Sequence, residues 1–270
     1  MPYRHAHWWL LLLFPLTGLA FWRGYFSQLG TAPYALHVHG VTASLWIGLL
    51  VFQSWSIHGR RNGAHRQAGY ASFALFPLFS AGGLLVIQTM AAKFEAQSDP
   101  FYNVFGARLA AIDLISTLAI LHLFFMAMKY RRKVHLHARY MLGTVFFLLA
   151  PILGRIAPAF PPLAITGPQD FHRFAYGLHL SHALVLALLF HLYRDAPKHG
   201  RPFATIGVLI VGQSLVFETL AGTAAWESVF TAIGAVPTAA LASIGLAAAA
   251  AVAWAGWTAG SAQRRAVATG

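Results

Sequence analysis

Long apolar runs, interrupted at regular intervals by short basic segments, constrain this chain more than any other feature. About 20 mostly apolar residues are needed to cross the hydrocarbon core of a bilayer. Runs that meet or approach this length cover approximately 8–25, 35–57, 68–90, 107–129, 138–159, 171–193, 203–222 and 236–258. The pattern predicts an all-α polytopic bundle of about eight transmembrane helices, forming one transmembrane domain over 1–270. The last run is rich in alanine and glycine, so seven spans result if it lies flat. The stretch from Trp226 to Pro237 before it reads as a short interfacial helix.

Composition supports a lipid environment. Hydrophobic residues make up 58% of the chain and charged residues only 10%, too few to cover a soluble domain of this length. Trp8, Trp9, Trp22, Trp226 and Trp257 fall near run ends, where an amphipathic ring sits at headgroup level. The chain has no cysteine, which excludes disulfides, thiolate metal sites and cysteine nucleophiles. The formal charge of +12 lies in short loops rather than along one helix face, so it reads as a topology signal and not as a nucleic-acid surface. The basic amino terminus lacks a small-residue cleavage site before Trp22 and Arg23, and is expected to remain as the first span.

Basic residues in short loops face the cytoplasm. Arg60, Arg61 and Arg66, then Lys129 to Arg139, then Arg194, Lys198 and Arg201 mark three such loops. Arg264 and Arg265 add a basic tail, which predicts both termini in the cytoplasm and fits a bacterial inner membrane. The opposite connections are nearly uncharged or mixed, as in Lys93, Glu95 and Asp99. Each basic loop carries histidine before a new span, and Ala71 to Pro77 is similar to Val145 to Pro151. These features predict three repeated helical hairpins, a pattern found in transporters and equally compatible with duplicated haem-binding hairpins.

Ionisable residues within the spans point to chemistry, because each is unfavourable in hydrocarbon unless paired or facing a cavity. His37 and His39 enter the second span, Asp113 lies in the fourth and Arg155 near the end of the fifth. His172, Arg173, His179 and His182 lie along the sixth, and Glu218 near the end of the seventh. All belong to the half of the bundle opposite the basic loops. His172, His179 and His182 fall on one helical stripe, whereas His37 and His39 diverge, with His39 the deeper. Asp113 shares a face with Ser116 and Thr117, and His122 points away from it. His122 and His191 are expected to pack or hydrogen-bond between helices. The loop histidines His58, His65, His135, His137 and His199 are expected to contact phosphate headgroups or cap helix ends.

Imidazoles bind Fe, Cu or Zn, or ligate haem iron. The candidate metal ligands are His37, His39, His172, His179, His182, Asp113 and Glu218. The candidate haem b contacts are His39, His179 and His182, with Arg155 as propionate or anion partner. The rival readings are a proton-coupled carrier and an accessory or sensory subunit with a purely structural polar network. The expected partners are the lipid bilayer and an electron-transfer or membrane-complex partner.

The segment His37-Val-His39-Gly40, with Trp46 and Gln53, followed by His65-Arg66-Gln-Ala-Gly69 and His137-Ala-Arg139-Tyr-Met141, resembles an uncharacterised bacterial group of multi-span membrane proteins. That likeness covers roughly 34–155 and implies no activity. More loosely, histidines on successive antiparallel spans are similar to cytochrome b561 and haem A synthase-like proteins, which hold haem between histidines of different helices. Here the third and fifth spans carry no interior histidine, so ligands come from the second, fourth or sixth. The boxes of diiron enzymes, HExxH, GxSxG and phosphate-binding glycine loops are absent from the sequence.

Overall fold

The computed structural model describes residues 3–268, and side chains through Ser261; the expectation for Arg264 and Arg265 lies outside the described residues. The protein is an all-α polytopic membrane bundle. Its helices are α1 (Ala6–Phe21), α2 (Tyr34–His58), α3 (Asn62–Glu95), α4 (Pro100–Lys129), α5 (Val134–Gly143), α6 (Phe146–Ile156), α7 (His172–Asp195), α8 (Arg201–Glu218), α9 (Ala224–Ala235) and α10 (Thr238–Ala268).

Seven helical segments are long and apolar enough to cross a membrane, with α5 and α6 together forming one of them. The first predicted run is the exception. It yields a helix of 16 residues, about 24 Å long, because the chain leaves the helix at Trp22 and turns before Tyr34. Trp8, Trp9 and Trp22 are exposed at its two ends, as expected of rings at a membrane interface. The expected interfacial helix before the last span is α9. Its start is capped by Thr223, whose hydroxyl accepts from the Trp226 amide, and Trp226 Nε1 donates to the Ala107 carbonyl of α4 at 2.7 Å.

Seven helices close a ring, in the order α1, α2, α3, α4, α8, α7, α6 and back to α1. The three basic loops join α2 to α3, α4 to α5 and α7 to α8, so the antiparallel hairpins predicted from the sequence are present. α10 lies outside the ring against α3 and α4, and is therefore packed along the bundle rather than flat on it. Its buried stripe is Gly245, Ala249, Ala253, Gly256 and Gly260, spaced at three or four residues. Small side chains let helix backbones approach closely in lipid. A Cβ on Gly256 would stand 2.7 Å from the Phe125 carbonyl oxygen.

The fifth span is broken. At Thr144 and Val145 the backbone amides bond to carbonyls three residues back, Met141 and Leu142, instead of four. Trp46 of α2 donates its indole N–H to the Thr144 hydroxyl at 3.0 Å, and that hydroxyl donates to the Met141 carbonyl at 2.8 Å. The break lets α5 pack on α4 and α8 while α6 joins the ring between α1 and α7. The half of the ring near the basic loops is filled by Trp46, Phe76, Leu123, Phe124 and Ile206, all fully buried, with the Phe76 and Phe124 rings stacked 4.0 Å apart.

Gly256→Val is expected to push α10 from α4 and destabilise the protein by about 1–3 kcal/mol. Ala250→Val, on the exposed face of the same helix, should stay within about 0.5 kcal/mol. Thermal unfolding in detergent checks both.

Candidate functional site

Opposite the basic loops, the ring carries polar side chains on α2, α4, α6, α7 and α8, and those of α4, α7 and α8 are joined by hydrogen bonds. The best-defined contact is between α7 and α8: His182 Nδ1 and the Ser214 hydroxyl lie 2.7 Å apart. His182 is only 2% exposed, and its Nε2 is buried with no hydrogen-bond partner among the described residues. One turn away, His179 Nε2 pairs with the Glu218 carboxylate at 2.6 Å, at the more exposed rim. Gln213, beside Ser214, is buried and donates its amide to the Ile112 carbonyl at 3.0 Å and to Ser116 Oγ at 2.7 Å. These bonds tie α8 to α4.

Asp113 stands next to that junction. α4 starts at Pro100, earlier than the apolar run suggests, because Asp99 caps it by accepting from the Phe101 amide and Pro100 takes a first-turn position that needs no N–H partner. Asp113 consequently sits near the middle of a 30-residue helix, further from its start than the apolar run beginning at about 107 implies. Its carboxyl has no hydrogen bond or ion pair among the described residues, and the residue is half-buried. Thr117, on the same face, donates to the Asp113 carbonyl.

On α2, the two histidines diverge as their spacing requires. His37 Nδ1 pairs with the Tyr25 hydroxyl at 2.8 Å in the connection after α1. His39 turns inward and stacks on Phe79 of α3 at 5.7 Å, with Nδ1 buried and unpartnered. Gly82 makes room for it: a Cβ there would meet the His39 Cα at 3.0 Å. Arg155, on α6, lies 4.4 Å over the Phe21 ring and donates to the Pro151 carbonyl.

Not every residue singled out from the sequence joins this centre. His172 is exposed and bonds the Gln169 carbonyl in the connection before α7. Arg173 is engaged by the Ala164 carbonyl and by Asp170 at 3.5 Å. The Thr166 hydroxyl and amide both donate to Asp170 and hold its carboxyl below the usual range. His122 and His191 do not pack between helices: His122 is exposed, and His191 is exposed and reaches only Asp195, one turn along its own helix. Among the described residues, no three His, Asp or Glu side chains are gathered closely enough to hold a metal ion. The set His37, His39, His172, His179, His182, Asp113 and Glu218 is instead divided between the inner wall and the rim.

Gln213 and Ser214 were not anticipated. Their signal in the sequence is a polar pair interrupting the apolar run from Ile206 to Phe217, a costly placement in lipid unless it serves an interhelical contact.

The chain matches no protein-family model, no curated protein and no solved structure.

Gln213→Leu removes both bonds to α4 and leaves Ser116 unpaired, with an expected loss of about 1–3 kcal/mol. His191→Ala should change stability by less than about 0.5 kcal/mol. Chemical or thermal unfolding of the two variants separates the bundle-tying residue from the exposed one.

Proposed function

We propose that this integral membrane protein is a redox or cofactor-binding protein of the bacterial inner membrane, with α1 as a short eighth crossing and both termini on the cytoplasmic side. In this reading the polar centre takes haem b, or a histidine-bound Fe, Cu or Zn ion. The observation that carries it is His182. Its Nδ1 is held by the Ser214 hydroxyl, which leaves Nε2 as the nitrogen available to a ligand, and Nε2 is buried with no partner among the described residues. Haem ligation requires only one or two imidazoles, so a cluster of three ligating groups is not needed.

His182 is the first ligand in this proposal and His39 the second. His179, already committed to Glu218, handles protons at the rim with it. Arg155 offers a guanidinium to a propionate or another anion. Asp113, a carboxylate within a span and without a partner among the described residues, is the proton-handling group of the fourth span in this reading. A bound haem would supply one-electron chemistry; the chain's own groups orient the imidazole and balance charge. The electron partner is a membrane complex or carrier. A proton-coupled carrier is the second reading, favoured by one observation: the Asp113 carboxyl has no partner among the described residues.

Protein produced with haem and metals supplied should show a Soret band whose visible companions sharpen on dithionite reduction, or stoichiometric Fe, Cu or Zn. Ser214→Ala should weaken binding about 10-fold to 100-fold, and His182→Ala should abolish it. A featureless, metal-free sample would rule out the cofactor reading. Proton-coupled flux in liposomes that disappears in Asp113→Asn would then assign the carrier.

A further inference from the structure

A second site lies at the other end of the bundle, within the basic loops. Between the cytoplasm-facing ends of α2, α3, α4, α5 and α10 there is a cavity of about 530 Å³, within the roughly 300–1,000 Å³ typical of small-molecule sites. Its lining includes Arg66, Arg131, Arg132, His58, His65 and His137, and no aspartate or glutamate among the described residues. The positive charge is therefore uncompensated by the protein.

Several polar side chains of the lining are also unsatisfied. Gln53, Ser54, His58 and His65 line the cavity, and Ser54 Oγ, Gln53 Oε1, His58 Nε2 and His65 Nδ1 are buried atoms with no hydrogen-bond partner among the described residues. Such clustering is rare in a folded interior, where more than about nine in ten buried polar groups are bonded. The other nitrogens of two of the imidazoles are in use: His58 Nδ1 donates to the Ser54 carbonyl at 2.7 Å, and His137 Nδ1 donates to the Ala127 carbonyl at 2.9 Å. Both caps fix their rings at the cavity wall.

The arginines divide by role. Arg131 is consumed structurally: it donates to the Met128 and Trp257 carbonyls and to Ser261, and lies 4.0 Å over the Trp257 ring. Arg66 and Arg132 are exposed and have no acceptor among the described residues. The remainder of the wall is apolar, with Leu50, Phe73, Met128 and Trp257. Free guanidinium groups at the mouth, polar atoms inside and an apolar wall at the depth of the headgroups together match one ligand chemistry.

We propose that this cavity binds a phosphate group, seated between Arg66 and Arg132 and reached by the Ser54 hydroxyl, with any attached apolar chain following the Phe73 and Trp257 wall. The phosphate comes from an anionic lipid headgroup or from free phosphate. The shared recognition is that of guanidinium forks for phosphoryl oxygens.

The test uses the full chain in phosphatidylcholine nanodiscs. One arm raises the phosphatidylglycerol fraction, the other adds inorganic phosphate, and the unfolding temperature is read in both. A saturable rise is expected in the lipid arm, with half-saturation at least about tenfold weaker in Arg66→Gln/Arg132→Gln and weakened also in Ser54→Ala, which changes no charge. Arg194→Gln/Lys198→Gln, in the neighbouring basic loop, should leave it unchanged. The same pattern with inorganic phosphate alone would identify the free anion as occupant and still support the site. No saturable rise in either arm would overturn the proposal. So would an equal loss in the Arg194→Gln/Lys198→Gln variant, since that marks general surface charge.

Discussion

Hydrocarbon offers no hydrogen bonds, so polar side chains in a span are favourable mainly where they find partners inside the bundle, and this requirement organises the whole protein. The solution is a ring. Gln213 joins α8 to α4, Ser214 meets His182 across α7 and α8, and Arg155 of α6 lies over the Phe21 ring of α1. Lipid-facing surfaces keep residues such as Leu118, Leu184, Val208 and Leu215, all exposed and apolar.

The broken fifth span makes room for two polar regions in one bundle. A continuous helix there would leave the chain on one path from end to end. The turn at Thr144, bonded to Trp46, instead brings α5 against α8 and sends α6 to the far side of the ring. Trp46, Phe76 and Phe124 then form an aromatic layer across the middle. The polar centre lies on one side of that layer and the basic cavity on the other. All three rings are at 0% exposure.

Much of this was legible in the sequence because membrane spans depend on local composition. The long runs, the interfacial segment before α10, the basic hairpin loops and the divergence of His37 and His39 all follow from spacing and charge. What depended on tertiary contact was not legible. The early start of α4 rests on the Asp99 cap, and it moves Asp113 deeper. The break at Thr144 needs an indole from a residue 98 positions away. His122 and His191 were expected between helices, but rotation about the helix axis places them outward. The basic cavity draws its walls from α2 through α10, so the histidine-rich loops read separately gave only caps and headgroup contacts.

The central claim is that polar groups of several spans face one centre that is open away from the basic loops. Because the native chain has no cysteine, single cysteines report directly on access. The most direct measurement is labelling of Asp113→Cys in proteoliposomes by a membrane-impermeant thiol reagent applied to each face, with Lys198→Cys marking the basic face and Ala127→Cys, fully buried on the same helix, as the closed reference. The account predicts that position 113 reacts from the face opposite position 198 while position 127 stays unlabelled. Reaction of position 113 only from the basic face, or none from either, would contradict it.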